Sequence, residues 1–179
     1  MTEIELVGID ADDTLWKSET FFAEVEEKFI ELMSNYSSDT GLEESLSSNE
    51  ITNLRVFGYG VKSFTLSMIE TAHLASGGNI ASSDIKQIIS WGKELLQHPV
   101  ILLDGVEDAI RELASDFTVF IVTKGDLLHQ RSKIEDSGLD KLVAGFDIFH
   151  EKDPESYLDF LSEKNIDPKN FLMAGNSLR

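Results

Sequence analysis

An apolar run that closes on acidic residues, Ile4-Glu5-Leu6-Val7-Gly8-Ile9-Asp10-Ala11-Asp12-Asp13-Thr14-Leu15, opens the chain. Branched aliphatic residues in an unbroken stretch suit a buried parallel strand, and open α/β sheets hold ligands beyond the carboxyl ends of such strands. Asp10 and Asp12 lie two apart, so on extended backbone they would point the same way. Like charges held that close require a cation between them or a shared proton. Either arrangement is a chemical site. An Asp after a strand is also a common turn former or helix cap, so the surrounding string has to decide.

Beyond Leu15 the period changes. Phe21, Val25, Phe29, Leu32 and Met33 recur at helical spacing, and their stripe reads as core packing rather than a ligand pocket. The Ser- and Glu-rich stretch 37–50 reads as a loop that holds at most a short helix. Helices follow over 61–75, with Phe64, Met68, Ile69 and Ala72 on one side, and over 83–97, with Ile85, Ile88, Ile89 and Leu95 buried. Gly77-Gly78-Asn79 and Pro99 punctuate them. From residue 99 the pattern alternates: helix 104–114 with Asp104 and Glu107 at capping-box spacing, strand 117–122, helix 127–136, strand 146–149, helix 154–163 and strand 171–174. Asp153-Pro154 marks a firm helix start. Alternating β and α units predict a Rossmann-like parallel sheet core over 1–16 and 99–179, with an inserted all-helical cap over 17–98.

The 179 residues, 41% hydrophobic, suffice for one full core and a small appended module. Fifteen basic against 33 acidic residues give a net charge of −18, which repels nucleic-acid backbones and anionic membranes. Zero cysteines exclude thiol chemistry, the four histidines are scattered singly, and no apolar run approaches the roughly 20 residues a membrane helix needs. A cytoplasmic protein acting on a small molecule is the expectation.

The apolar run with Asp-Xaa-Asp-Xaa-Thr-Leu resembles the first signature of the haloacid dehalogenase-like (HAD) hydrolases, and the rest of the chain is similar to that superfamily in order. The resemblance implies that Asp10 attacks phosphorus to give an aspartyl phosphate, and that Asp12 protonates the leaving oxygen and then activates water. Members that attack carbon characteristically lack the second Asp, so Asp12 points to phosphoryl transfer. Asp13 replaces the commoner Gly and receives no role. The strand ending in Thr123-Lys124-Gly125 is similar to the second motif, which implies a phosphoryl hydrogen bond from Thr123 with help from Lys124 and Gly125. Lys152, in a strand-to-helix loop, resembles the third and would hold Asp10 and the phosphate oxygens. Phe171-Leu172-Met173-Ala174-Gly175-Asn176 resembles the opening of the fourth, which implies Mg²⁺ held by Asp10, Asp12 and Asn176. The acid expected a few positions later is absent before Leu178-Arg179, so the chain reads as a C-terminally truncated form whose magnesium site is weakened.

The inserted helices correspond to the family's C1 cap, where specificity resides. Arg55 and Lys62 flank Phe57-Gly58-Tyr59-Gly60 and are candidate contacts for an anionic substrate. The expected function is a Mg²⁺-dependent phosphatase acting on a small phosphorylated metabolite. A phosphotransferase or phosphomutase would share every residue named, and a catalytically weak binding protein is the third alternative. A receiver-type signalling domain would need Asp12, Asp13, Asp104, Thr123 and Lys152 as its set. The spacing disfavours it, and Asp104 has a simpler role as a helix cap.

Overall fold

The computed structural model describes residues 3–36 and 41–177. Backbone contacts divide the chain into two units, 1–18 with 99–179 and Glu19–His98. The first is an α/β unit with a parallel four-stranded sheet: β1 (Leu6–Ile9), β2 (Thr118–Lys124), β3 (Gly145–Phe149) and β4 (Phe171–Ala174) in the order β3-β2-β1-β4. Leu6 pairs with Thr118 on one side and with Phe171 on the other, so β1 is central and fully buried. One face packs Val7, Ile9, Val119 and Ile121 against Ile110 and Ile134; the other packs Leu6 and Val122 against Phe149, Phe160 and Leu161. Gly8 belongs to the β1–β4 pairing for a steric reason. A Cβ there would lie 2.9 Å from both Met173 Sδ and the Phe171 ring.

The second unit holds four helices, α1 (Glu19–Met33), α2 (Leu42–Phe57), α3 (Val61–Ala75) and α4 (Ser82–Leu96). Its core gathers Val25, Phe29, Met33, Met68 and Ile88, as the helical spacing predicts, together with Leu46 of α2, which that spacing did not predict. Gly92 lets α4 approach α3: a Cβ there would stand 2.2 Å from Thr65 Oγ1. The remaining helices, α5 (Val106–Asp116), α6 (Leu127–Ser137) and α7 (Pro154–Glu163), belong to the α/β unit.

Three expectations need correction. The stretch 37–50 is not mainly a loop; α2 runs from Leu42, while residues 37–40 lie outside the described set. Its apolar pattern is weak because the side facing α3 is polar: Asn49 donates to Thr71 Oγ1 (2.8 Å), and Asn53 donates to Ser67 Oγ (3.1 Å) and Glu70 Oε2 (2.8 Å). Asp104 does not cap α5; Gly105, left-handed at φ 80, occupies that position without a side-chain bond. Ile89 is exposed rather than buried, because α4 turns Ile88, Gly92 and Leu95 inward. By contrast Asp153 does cap α7, its side chain accepting from the Ser156 amide at 2.8 Å.

Candidate active site

Four strand ends assemble the site. Asp10 follows β1 directly and its amide donates to Ala174 O (2.8 Å), continuing the β1–β4 pairing. Thr123 and Lys124 close β2, Lys152 lies just beyond β3, and Gly175 and Asn176 follow β4. Sheet order reverses around β1, the position where open α/β sheets leave a crevice for ligands. The α/β unit thus carries Asp10, Asp12, Thr123, Lys124, Gly125, Lys152 and Asn176 at one edge. Arg55, in the last turn of α2, and Lys62, in the first turn of α3, are exposed residues of the helical unit.

Each of the two carboxylates has its own lysine: Lys152 holds Asp10, as its motif implies, and Lys133, which the sequence did not indicate, holds Asp12. Asp10 Oδ1 accepts from Lys152 Nζ and from the Ala11 amide (2.8 Å). Asp12 Oδ1 accepts from Lys133 Nζ (2.5 Å) and Trp16 Nε1 (2.7 Å), and Oδ2 accepts from Gln130 Nε2 (2.7 Å). Strand alternation does not extend to Asp12, because β1 ends at Ile9 and Asp12 bridges to Trp16. Burial alone would raise the Asp12 pKa, but the Lys133 charge and the hydrogen bonds from Lys133, Gln130 and Trp16 outweigh it and hold the carboxyl below its ordinary value. Asp13 has a backbone reason to be there. Its φ of 58 is left-handed, a conformation that Asp tolerates where Gly is the usual choice, and its Oδ1 accepts from the Ser18 amide (2.9 Å).

Around this pair, Thr123 is buried at 1% exposure. Lys124 Nζ pairs with Glu151 Oε1 (2.6 Å), which also accepts from the Lys152 amide (2.9 Å), so one carboxylate ties the second motif to the third. Gly125 sits at φ 139, and a Cβ there would lie 3.0 Å from Gln130 Nε2. Thr14 Oγ1 accepts from the Asn176 amide (2.9 Å) and fixes the loop after β4. Tyr157, on α7, packs edge-on against Phe149 at 5.3 Å. Burial and the neighbouring Asp10 charge push its pKa up, with Lys124 opposing.

Asp10 and Asn176 are hard oxygen donors of the kind Mg²⁺ takes, and that ion commonly rests on one or two carboxylates, substrate phosphate and several waters. Gly175 provides the cradle: a Cβ there would stand 2.8 Å from Asp10 Cβ, so only glycine lets the loop come this close. The residues fit a magnesium ion held by Asp10 and Asn176. No described group of three His, Cys, Asp or Glu side chains is arranged for a metal. A ligand role for the Asp12 side chain would require some of its three hydrogen bonds to break.

Trp16, Gln130 and Lys133 escaped the sequence reading. No sequence signal marked them; the inverted burial on α6, where polar Gln130 is buried while Leu127 and Leu128 are exposed, shows only in the structure. Trp16 is fully buried, so its indole N–H needs an acceptor, which Asp12 supplies.

The family model for haloacid dehalogenase-like hydrolases matches residues 4–179. The sequence matches none of the curated proteins. Among solved structures, a haloacid dehalogenase-like family hydrolase from Xanthomonas campestris is 43% identical with a TM-score of 0.92, covering 100% of this chain and 77% of that one. The HAD-hydrolase YfnB from Bacillus subtilis, bound to magnesium, is 20% identical at TM-score 0.68, over 98% of this chain and 81% of that one. A predicted phosphoglycolate phosphatase from Haemophilus somnus is 18% identical at TM-score 0.62, over 98% and 78%. Haloacid dehalogenases share the fold at comparable likeness. The last three comparisons speak for the fold alone. No helix of the described residues is long and apolar enough to cross a membrane.

Proposed function

This chain belongs to the haloacid dehalogenase-like hydrolases, and on that premise we propose that it is a Mg²⁺-dependent phosphatase of small phosphomonoesters, working in the cytoplasm through a phosphorylated Asp10. The observation that carries this reading is Asp12. Carbon-attacking relatives characteristically lack this second carboxyl, and here it is present and held through both oxygens by three donors.

In the proposed reaction an Asp10 oxygen forms a bond to phosphorus while the bond from phosphorus to the substrate oxygen breaks. That oxygen leaves with the electron pair and takes a proton from Asp12. Water then attacks phosphorus, its proton passes to Asp12, and the bond from Asp10 to phosphorus breaks to release phosphate. Lys152 neutralises Asp10 and the phosphoryl oxygens gathered beside it, and Thr123 donates to the same group. When bound at Asp10 and Asn176, Mg²⁺ would supply further positive charge against those oxygens. Because Lys133, Gln130 and Trp16 favour the ionised form of Asp12, the residue as held is readier as base than as acid. Arg55 and Lys62 are proposed substrate contacts of the helical unit.

The test is phosphate release from a panel of small phosphomonoesters with and without Mg²⁺, run beside halide release from 2-haloacids. The expected result is metal-dependent phosphate release that disappears in Asp10→Asn. Halide release without phosphate release would replace the phosphatase reading with a dehalogenase one.

A further inference from the structure

We propose that Gln130 and Lys133, on α6, are positioning residues that fix the orientation of the Asp12 carboxylate; this role rests on the phosphatase reading above. The geometry is two-handed. Lys133 Nζ holds Oδ1 at 2.5 Å and Gln130 Nε2 holds Oδ2 at 2.7 Å, so donors on both oxygens define the carboxylate plane. Trp16 Nε1 adds a third bond to Oδ1. Gln130 is itself anchored, since the same Nε2 donates to Lys124 O at 2.9 Å. One amide therefore ties Asp12 to the end of β2, where Thr123 and Lys124 stand. Gly125 keeps the space open, because a Cβ there would crowd Gln130 Nε2 at 3.0 Å and its Cγ at 3.3 Å.

Stability does not account for this arrangement. Gln130 is 4% exposed, and with its nitrogen committed to Asp12 and Lys124 its Oε1 is buried without a partner. An unpaired buried acceptor costs free energy that an apolar side chain of the same shape would not. The Lys133 side chain, 13% exposed, carries a desolvation cost of its own in its pair with Asp12. Both liabilities converge on one carboxylate, the one that must face first a leaving oxygen and then a water. Proton transfer requires near-attack geometry, and a small displacement of the transferring group costs one to two orders of magnitude in rate.

The test uses the full chain with Mg²⁺ and isotopically labelled acetyl phosphate. Acetate leaves as an anion without needing a proton, so phosphorylation of Asp10 depends little on Asp12 while hydrolysis of the phosphoenzyme depends on it. Gln130→Met keeps side-chain length, Lys133→Met shortens it by one atom, and both remove the donors. Each should lower kcat about ten- to a hundredfold with KM changed far less, and labelled Asp10 should accumulate well above the wild-type steady state. Lys133→Arg should restore much of the rate. Gln130→Met removes the orphaned oxygen together with the donor to Asp12 Oδ2 and Lys124 O, but leaves the Lys133 and Trp16 bonds to Asp12 in place. It should therefore remain folded by circular dichroism and keep the test informative should Lys133→Met fold poorly. If both Met variants hydrolyse within about twofold of wild type, or lose rate without accumulating phosphoenzyme and without rescue by Arg, the positioning role is overturned. A wild-type chain that releases no phosphate and takes no label on Asp10 overturns the phosphatase reading and this role with it.

Discussion

The α/β unit and the helical unit solve the burial of polar groups in opposite ways. In the α/β unit charges are gathered at one sheet edge and paired: Asp10 with Lys152, Asp12 with Lys133, Lys124 with Glu151. In the helical unit the buried polar seam between α2 and α3 is mostly neutral and internally satisfied. Thr71 donates to Ser67 O (2.8 Å), Ser67 to Ser63 O (3.0 Å), and Asn49 and Asn53 close the ladder from the facing helix. The orphaned buried side-chain atoms found among the described residues, Gln130 Oε1 and Asp140 Oδ1, both lie in the α/β unit. Gln130 belongs to the Asp12 cluster, where chemistry tolerates an unsatisfied group that a purely structural seam avoids.

If that contrast is right, the largest effects come from the sheet edge and are catalytic. Asp10→Asn should reduce phosphate release by at least about a thousandfold while leaving the circular dichroism spectrum and melting temperature near wild type. Retained turnover would remove Asp10 as nucleophile. Asp12→Asn should cost about 10²- to 10⁴-fold, with phosphoenzyme detectable after acid quench; wild-type rates would end its acid–base role. In the helical unit the effects are on stability. Gly92→Ala drives a methyl into Thr65 and should destabilise by about 1–3 kcal/mol, part of which Thr65→Ala in the same chain should recover in a double-mutant cycle. Asn53→Ala removes donors to Ser67 and Glu70 and should cost about 1–2 kcal/mol in denaturant titrations.

The smallest effect is a difference in sign. Asp12 has a lowered pKa in the folded state, so its contribution is present above the ordinary value of 3.8 and is lost as pH falls through the lowered one. Glu26 and Glu50 run the other way. Burial first, and then the like charge of Glu43 on Glu26 and of Glu26 on Glu50, raise their pKa values. Their contribution is therefore fully present below the ordinary 4.5 and is lost as pH rises through the raised values. Moving from pH 7 toward 5 should increase amide protection of α1 and α2 without weakening β1 and β2, and hydrogen exchange resolves the two. A parallel loss in both units would contradict the assignment.

What the sequence disclosed cuts across the two units. β1, β4, α3 and α7 announce themselves because each carries a clean period or a strong start signal, such as Asp153-Pro154 before α7. Asp10 and Lys152 were legible from their motifs, and the structure pairs them. The α2 helix was not legible, because Asn49 and Asn53 occupy the positions where an apolar stripe would show. Nor was the Asp12 cluster, since Gln130 and Lys133 sit on a polar helix far along the chain and no local pattern declares a tertiary partner. Asp13 became intelligible only through its positive φ.

The central position of β1 also sets an order in time. Synthesis delivers Leu6–Ile9 first, yet both of its pairing partners, Thr118–Lys124 and Phe171–Ala174, arrive after the entire helical unit. The four helices form a contiguous segment whose core residues all lie within it, so they can fold on emergence from the ribosome. Meanwhile Leu-Val-Gly-Ile waits as an uncovered apolar strand. Closing so long an excursion is entropically mild, with each doubling of length costing only about 0.6 kcal/mol. The burden is kinetic, and it makes the amino-terminal strand the segment that a nascent-chain chaperone would be expected to hold.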